Sequence, residues 1–187
     1  MASESLEMEN EMPRAWSEDW REWVTDRARG LVLEIGAGDG VNLSYYHAGA
    51  KVIATEPDTE SLELITEYEE NITLAQADAE DLPFPDASFD AVVGTLVFCT
   101  IPDAPRALQE VRRVLKPNGS LRLVEHVRAK NPVGRALMRA ANPFWHWMTG
   151  GCNINRDTLD AVRAAGFQVL GVNKQMMGLI LGIDARK

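Results

Sequence analysis

The stretch LVLEIGAGDG at residues 31–40 limits what this chain can fold into more than any other part of it. Leu31–Ile35 is a short apolar run broken only by Glu34, and Gly36, Gly38 and Gly40 follow at alternate positions. Such a run bounded by glycines reads as a buried strand entering a tight turn. Glycine reaches positive φ without steric cost and lets the backbone approach a ligand closely. The pattern continues as a helix, whose unpaired N–H groups would face the same ligand. A strand, a glycine loop and a helix form the opening unit of a parallel α/β sheet.

The rest of the chain repeats that rhythm. Lys51–Thr55, Ile72–Ala77, Phe89–Thr95 and Ser120–Val127 are further strand candidates, and Thr59–Glu69 and Ala104–Leu115 read as helices between them. In the second helix Ala104, Leu108, Val111 and Leu115 share one face, Asp103 is the expected N-cap, and Pro117-Asn118-Gly119 is a turn. Strand–helix alternation with right-handed crossovers predicts a doubly wound, mostly parallel sheet with helices on both faces. Further on, Asn131–Met148 reads as a helix interrupted by Pro143, and Arg156–Ala165 as a helix stopped by Gly166. Phe167–Asn173 and Leu179–Ile183 are separated by only Lys174–Gly178, too short for a crossover, so they are expected to pair antiparallel.

Residues 1–12 are polar and acidic and read as a disordered leader, leaving a single domain over 13–187. Trp16, Trp20 and Trp23 fall on one face of a helix within 13–29. That face either covers the sheet or caps a ligand pocket. The aromatic-rich insertion at 131–152 is a second candidate cap.

Three signals sit in order at the ends of successive strands, the edge where open α/β sheets bind ligands. The first is Glu34 with Gly36, Ala37, Gly38 and Gly40. A dinucleotide fingerprint would need glycine at position 41, where Val41 stands. An acidic residue there suits a ligand with positive charge, such as the amino group and sulfonium of S-adenosylmethionine (SAM). The second is Glu56-Pro57, whose carboxylate can accept both hydroxyls of a ribose. The third is Asp78-Ala79, which can meet an adenine amino group and ring nitrogen. Thr95 and Leu96, after the fourth strand, complete the expected cofactor-binding set.

In this order, and with Phe89–Val93 and Leu115–Gly119, the sequence resembles the class I SAM-dependent methyltransferases over roughly Leu31 to Ile183. The resemblance implies a seven-stranded Rossmann-like sheet with its last strand antiparallel. It also implies SAM as cofactor, with S-adenosylhomocysteine as product. Thr95–Cys99, Leu108–Leu115, Glu125-His126-Val127, Trp145, Gly151-Cys152 and Arg156 further resemble the methyltransferase-like group acting on small-molecule thiols. The expected activity is methyl transfer to a small, fairly hydrophobic acceptor, a thiol by that resemblance. Carbon, nitrogen or oxygen acceptors, or a non-catalytic SAM-binding protein, are the alternatives. Trp16, Trp20, Phe98, His126, Trp145 and Cys152 are the expected substrate pocket. His126 is read either as a general base or as a structurally hydrogen-bonded histidine.

Composition narrows the partners. Acidic residues outnumber basic ones, 28 to 19, so the net charge of −9 argues against a nucleic-acid substrate. Cys99 and Cys152 form no CxxC pair, and no Cys/His cluster has metal-ligand spacing along the chain, so two free thiols and no metal are expected. Cys99 in particular reads as an inert buried thiol. The N-terminus has neither the basic nor the apolar segment of a signal peptide, and no run approaches the ~18 apolar residues of a membrane span. A cytoplasmic enzyme is the expectation.

Overall fold

A computed structural model describes residues 18–187. The leader at 1–12 and Trp16 therefore lie outside the described residues. Seven strands form one sheet: β1 (Leu31–Ile35), β2 (Lys51–Glu56), β3 (Ile72–Gln76), β4 (Phe89–Thr95), β5 (Leu115–His126), β6 (Gln168–Gln175) and β7 (Ile180–Arg186). Their spatial order is β3-β2-β1-β4-β5-β7-β6. β1 to β5 pair in parallel, and β7 inserts antiparallel between β5 and β6. Only the 3-10 turn Met176–Gly178 separates β6 from β7, so the expected antiparallel hairpin forms.

Side chains alternate across the sheet and split the core in two. Leu33 and Ile35 pack with α3 (Ala104–Val114) and α5 (Thr158–Ala164). Val32, Val52 and Val93 pack with Trp20 and Val24 of α1 (Glu18–Asp26). The amphipathic face of α3 is buried at Ala104, Ala107, Leu108, Val111 and Val114. Asp103 caps it as expected, accepting from the Arg106 N–H at 3.0 Å.

Several elements differ from expectation. No α-helix follows the glycine loop. The connection from β1 to β2 holds only a 3-10 turn, Leu43–Tyr45. The sheet face above it is covered by α1 instead. α2 spans Thr59–Glu63 and stops short of Glu69, since Glu60, Glu63 and Glu67 would stack like charges on a longer helix. α4 (Pro132–Met148) runs unbroken through Pro143. The carbonyl that Pro143 leaves unpaired belongs to exposed Arg139, where solvent can take its place. α5 begins after Asp157, which caps it through the Asp160 N–H, and Arg156 is released for another task.

Arg122 of β5 shows how α1 is fastened to the sheet. It is 2% exposed, its Nε donates to Val24 O at 3.1 Å and its Nη2 to Trp23 O. The guanidinium lies 4.3 Å from the centre of the Trp23 ring and 3.4 Å from Asp184 Oδ2. Arg122 thus satisfies the carbonyl end of α1 and neutralises a buried carboxylate together. Arg122→Ala should lower the free energy of urea unfolding by about 3 kcal/mol, the usual cost of breaking a buried pair. A loss below about 0.5 kcal/mol would show that α1 is held by its apolar face alone.

Candidate active site

The strand order reverses between β1 and β4, and the loops after these strands face one another across the crevice. Their approach depends on Gly36, at φ 67°, where a Cβ would stand 2.3 Å from Val97 Cγ2. Gly38, at φ 55°, has nothing within 4 Å of its Cβ position, so it leaves room for a ligand. A cleft of about 470 Å³ opens here, within the range of small-molecule sites. Gly36, Glu56, Pro57, Asp78, Ala79 and Leu96 of the expected cofactor set line it, with Val97, Thr100 and Ile101.

Two carboxylates stand at adjacent strand ends of this cleft. Glu56 Oε2 accepts from the Gly38 N–H at 3.0 Å, which fixes the carboxylate against the glycine loop. Asp78 Oδ1 accepts from the Glu80 N–H at 2.9 Å, turning the chain so that buried Ala79 faces the cleft. Leu96 is held at φ 56°, an unusual conformation for a residue with a Cβ, and its N–H donates to Val124 O at 2.7 Å.

Other members of the set support the cleft without lining it. Glu34 was expected to face the ligand's positive charge, but it is 1% exposed and turned toward α1. Its Oε1 accepts from Asn42 Nδ2 at 2.8 Å, and that same nitrogen donates to Thr95 Oγ1 at 3.0 Å. Arg21 holds the Asn42 carbonyl oxygen at 2.9 Å. Glu34 therefore ties the glycine loop to the end of β4. Burial raises it from 4.5 to about 7, while Asn42, Tyr46 and Arg21 work the other way. The Ala37 N–H is taken by Thr55 O at 3.0 Å, and a Cβ at Gly40 would meet Ile65 and Leu43 at 3.1 Å, so both are packing positions.

Residues 33–123 match the family model described as "Methyltransferase domain". The chain is 35% identical to thiol S-methyltransferase TMT1B of Rattus norvegicus over 148 residues, 73% of this chain and 59% of that protein. It is 34% identical to phosphatidylethanolamine N-methyltransferase of Cereibacter sphaeroides over 128 residues, 63% of each. It also superposes on a SAM-dependent methyltransferase structure from Mesorhizobium loti with a TM-score of 0.66, 19% identity, and coverage of 86% of this chain and 91% of that one.

The chain belongs to the SAM-dependent methyltransferases.

The cofactor of this family is SAM, and the fold is the seven-stranded, Rossmann-like sheet expected from the sequence. The chain spans about three-fifths of the length of the curated relatives it matches, 59% and 63%. Among the described residues no helix is long and apolar enough to cross a membrane.

The expected substrate pocket is only partly assembled. Trp20 is 5% exposed and belongs to the core beneath α1, so it covers the sheet. Phe98 is fully buried on the opposite face, against α3 and α5. Phe144 and Trp147 are 64% and 79% exposed on α4, which has no buried residue, and they line neither pocket nor core. Trp145, His126 and Cys152 do converge, and Cys99 joins them. Cys99 and Cys152 are free, but their Sγ atoms lie 3.3 Å apart, and Cys152 Sγ is 3.7 Å from His126 Nδ1. Linear spacing predicts no Cys/His cluster; the fold builds one. The hydrogen bond between the thiols raises Cys99 and lowers Cys152, whose thiolate is further favoured by His126 and Trp145.

Glu125 had no assigned role in the sequence, yet it organises this region. Its carboxylate is fully buried and accepts from the N–H groups of Val97, Phe98 and Cys99 at 2.9, 2.8 and 3.1 Å. Burial raises it to about 7, while the three amides oppose that rise. Arg156 Nη1 donates to Phe98 O at 2.7 Å and to Ile101 O, and the Asn153 N–H donates to Cys99 O at 2.8 Å. A buried acidic residue one position before a strand-end histidine was the available signal.

The raised pKa of Glu34 has a consequence for stability. Below 4.5 the group is neutral in both states; between 4.5 and 7 the unfolded chain alone ionises, so stability falls as pH rises. Above that window the penalty is complete, up to about 3 kcal/mol. Glu125 acts in the same direction. Asp90 and Glu110, lowered by Lys116 and Arg113, act oppositely and at lower pH. Glu34→Gln can keep the Asn42 bond, and it should flatten the fall in urea stability between about pH 5 and about pH 7.5. Identical pH slopes in the two proteins would mean that Glu34 is ionised in the folded chain throughout.

Proposed function

We propose that this chain binds SAM in the crevice between the β1 and β4 loops and transfers its methyl group to a small, fairly hydrophobic thiol. The observation that carries the cofactor half is the pair of strand-end carboxylates, Glu56 and Asp78, beside a glycine loop left open at Gly38. These residues fit the group. Glu56 would accept the ribose hydroxyls, Asp78 and the Ala79 N–H would meet the adenine edge, and Gly36 and Leu96 would wall the crevice. SAM supplies a methyl already activated on a sulfonium, whose leaving group is a neutral thioether.

Little beyond alignment is then needed from the protein. A thiol of pKa about 8.5 is partly ionised near neutrality, so no dedicated base is required. His126 is directed at Cys152 and does not line the crevice, and it is not assigned as a base here. The thiol reading is supported by the likeness to a protein named thiol S-methyltransferase. A phospholipid amine is the second reading, favoured by the 34% identity to a phosphatidylethanolamine N-methyltransferase. A net charge of −9 disfavours binding to nucleic-acid phosphates.

Methyl transfer from labelled SAM to alkyl and aryl thiols, phosphatidylethanolamine, phenols and amines tests the acceptor. Thiols should be methylated fastest. Turnover confined to the lipid amine would replace the thiol reading. Glu56→Ala should weaken SAM binding in calorimetry by about 10–100-fold, the loss of hydrogen bonds to a charged acceptor, with the urea midpoint little changed. An unaltered dissociation constant would remove Glu56 from the cofactor site.

A further inference from the structure

Cys99, His126 and Cys152 come from three separate parts of the chain, and their sulfur and nitrogen atoms lie within 4.8 Å of one another. In tetrahedral coordination, with metal–sulfur bonds near 2.3 Å and metal–nitrogen bonds near 2.0–2.1 Å, sulfur–sulfur edges are about 3.8 Å and sulfur–nitrogen edges about 3.5 Å. Two of the three separations, 3.3 Å between the sulfurs and 3.7 Å from Cys152 to His126, depart from these by roughly 0.5 Å or less, and the third lies within 4.8 Å. A disulfide would require the sulfurs to close to about 2.05 Å and would give His126 no part. We propose that Cys99, Cys152 and His126 hold a thiophilic divalent cation such as Zn²⁺, with a fourth position for the acceptor thiol.

The ligand loops are fixed before any ion arrives. Glu125 fastens the backbone of Val97–Cys99. Asn153 joins the Cys152 segment to Cys99 O through its N–H at 2.8 Å and its Nδ2 at 3.1 Å. Arg156 adds a bond to Phe98 O. Such constraints keep cysteine rotamers from relaxing apart. The Trp145 indole N–H is buried beside Cys152, where it favours the thiolate form that a metal ion binds. Two sulfurs and one imidazole suit zinc and leave one coordination position open.

The cluster adjoins the cofactor crevice, because the loop that carries Cys99 also lines it through Leu96, Val97, Thr100 and Ile101. The role of the fourth position rests on the thiol reading above. A thiol bound there would lose its proton to solvent and attack as thiolate. A carbon–sulfur bond forms to the methyl while the sulfonium carbon–sulfur bond breaks, giving a methyl thioether, S-adenosylhomocysteine and one proton.

The test uses the full chain, reduced with a phosphine and stripped with a chelator, then titrated with Co²⁺. One equivalent should bind, with a thiolate-to-cobalt band in the near ultraviolet and the strong visible bands of a tetrahedral ion. Cys152→Ser and His126→Asn should each weaken uptake at least about tenfold while SAM affinity stays unchanged. Thiophenol should shift the visible bands and phenol should not. Failure of the reduced wild-type chain to take up Co²⁺, or an unchanged spectrum in Cys152→Ser, overturns the site. Undiminished thiol methylation by the metal-free chain overturns the metal's part and leaves the thiol reading intact. Cobalt bands without thiol methylation in any metal form would support the site and sink the thiol reading.

Discussion

The Glu125 carboxylate, buried at the end of β5, is the interaction on which the active-site region depends. A carboxylate taken out of water is costly unless hydrogen bonds replace the lost solvent. Here three consecutive backbone N–H groups, those of Val97, Phe98 and Cys99, supply that replacement. The arrangement ties the loop after β4 to β5, and several features follow from it. Leu96 is forced into its left-handed conformation at the mouth of the crevice. Val97 is brought against Gly36, and Cys99 is turned inward toward Cys152. The chain thus uses one buried carboxylate to shape a wall of the crevice and the thiol cluster together.

Glu34 plays the matching part on the other side of the sheet. Through Asn42 it reaches Thr95, and so joins the loop after β1 to the end of β4. Glu56 joins the loop after β1 to the end of β2 through the Gly38 N–H. With no α-helix after the glycine loop, no helix N-terminus or dipole is available to hold that loop or its ligand. Side-chain carboxylates do the fastening instead. This explains why strand ends β1, β2 and β5 each carry a glutamate, and why two of the three are fully buried while only Glu56 lines the cleft.

The strands were legible because their signal is local. Leu31–Ile35 and Phe89–Thr95 are apolar runs with turn residues at their ends, and their boundaries fall where the pattern predicts. The antiparallel β6–β7 pair followed from loop length alone. What the sequence could not show depended on contacts between distant residues or on solvent. Trp20 and Trp23 share a helix face, but only the fold reveals that Arg122 stacks on one and that the other fills the core. Phe144 and Trp147 belong to the aromatic-rich segment 131–152 that reads as a cap, and α4 leaves them exposed. Glu34 was recognised as a site residue, but its direction followed from strand alternation, which turns it to the α1 face.

The same alternation bears on how cofactor and acceptor are divided. Gly36, Glu56, Asp78 and Leu96 gather at the ends of β1 to β4, where the sheet order reverses. His126 ends β5, beyond that reversal, and Cys152 arrives from the segment after α4. Methyl transfer from a sulfonium asks for a nucleophile in line with the methyl and for exclusion of water. With the proposed cation bound, this largely buried cluster beside the crevice would meet both needs for sulfur better than for oxygen or nitrogen, because imidazole and thiolate ligands favour ions that bind thiols tightly. A hard acceptor such as a phenol would gain nothing from these ligands, and it would need a base that His126, directed at Cys152, is not placed to supply. On that proposal the acceptor is met by residues of β5 and of the segment after α4, and the crevice is walled by different residues at the ends of β1 to β4.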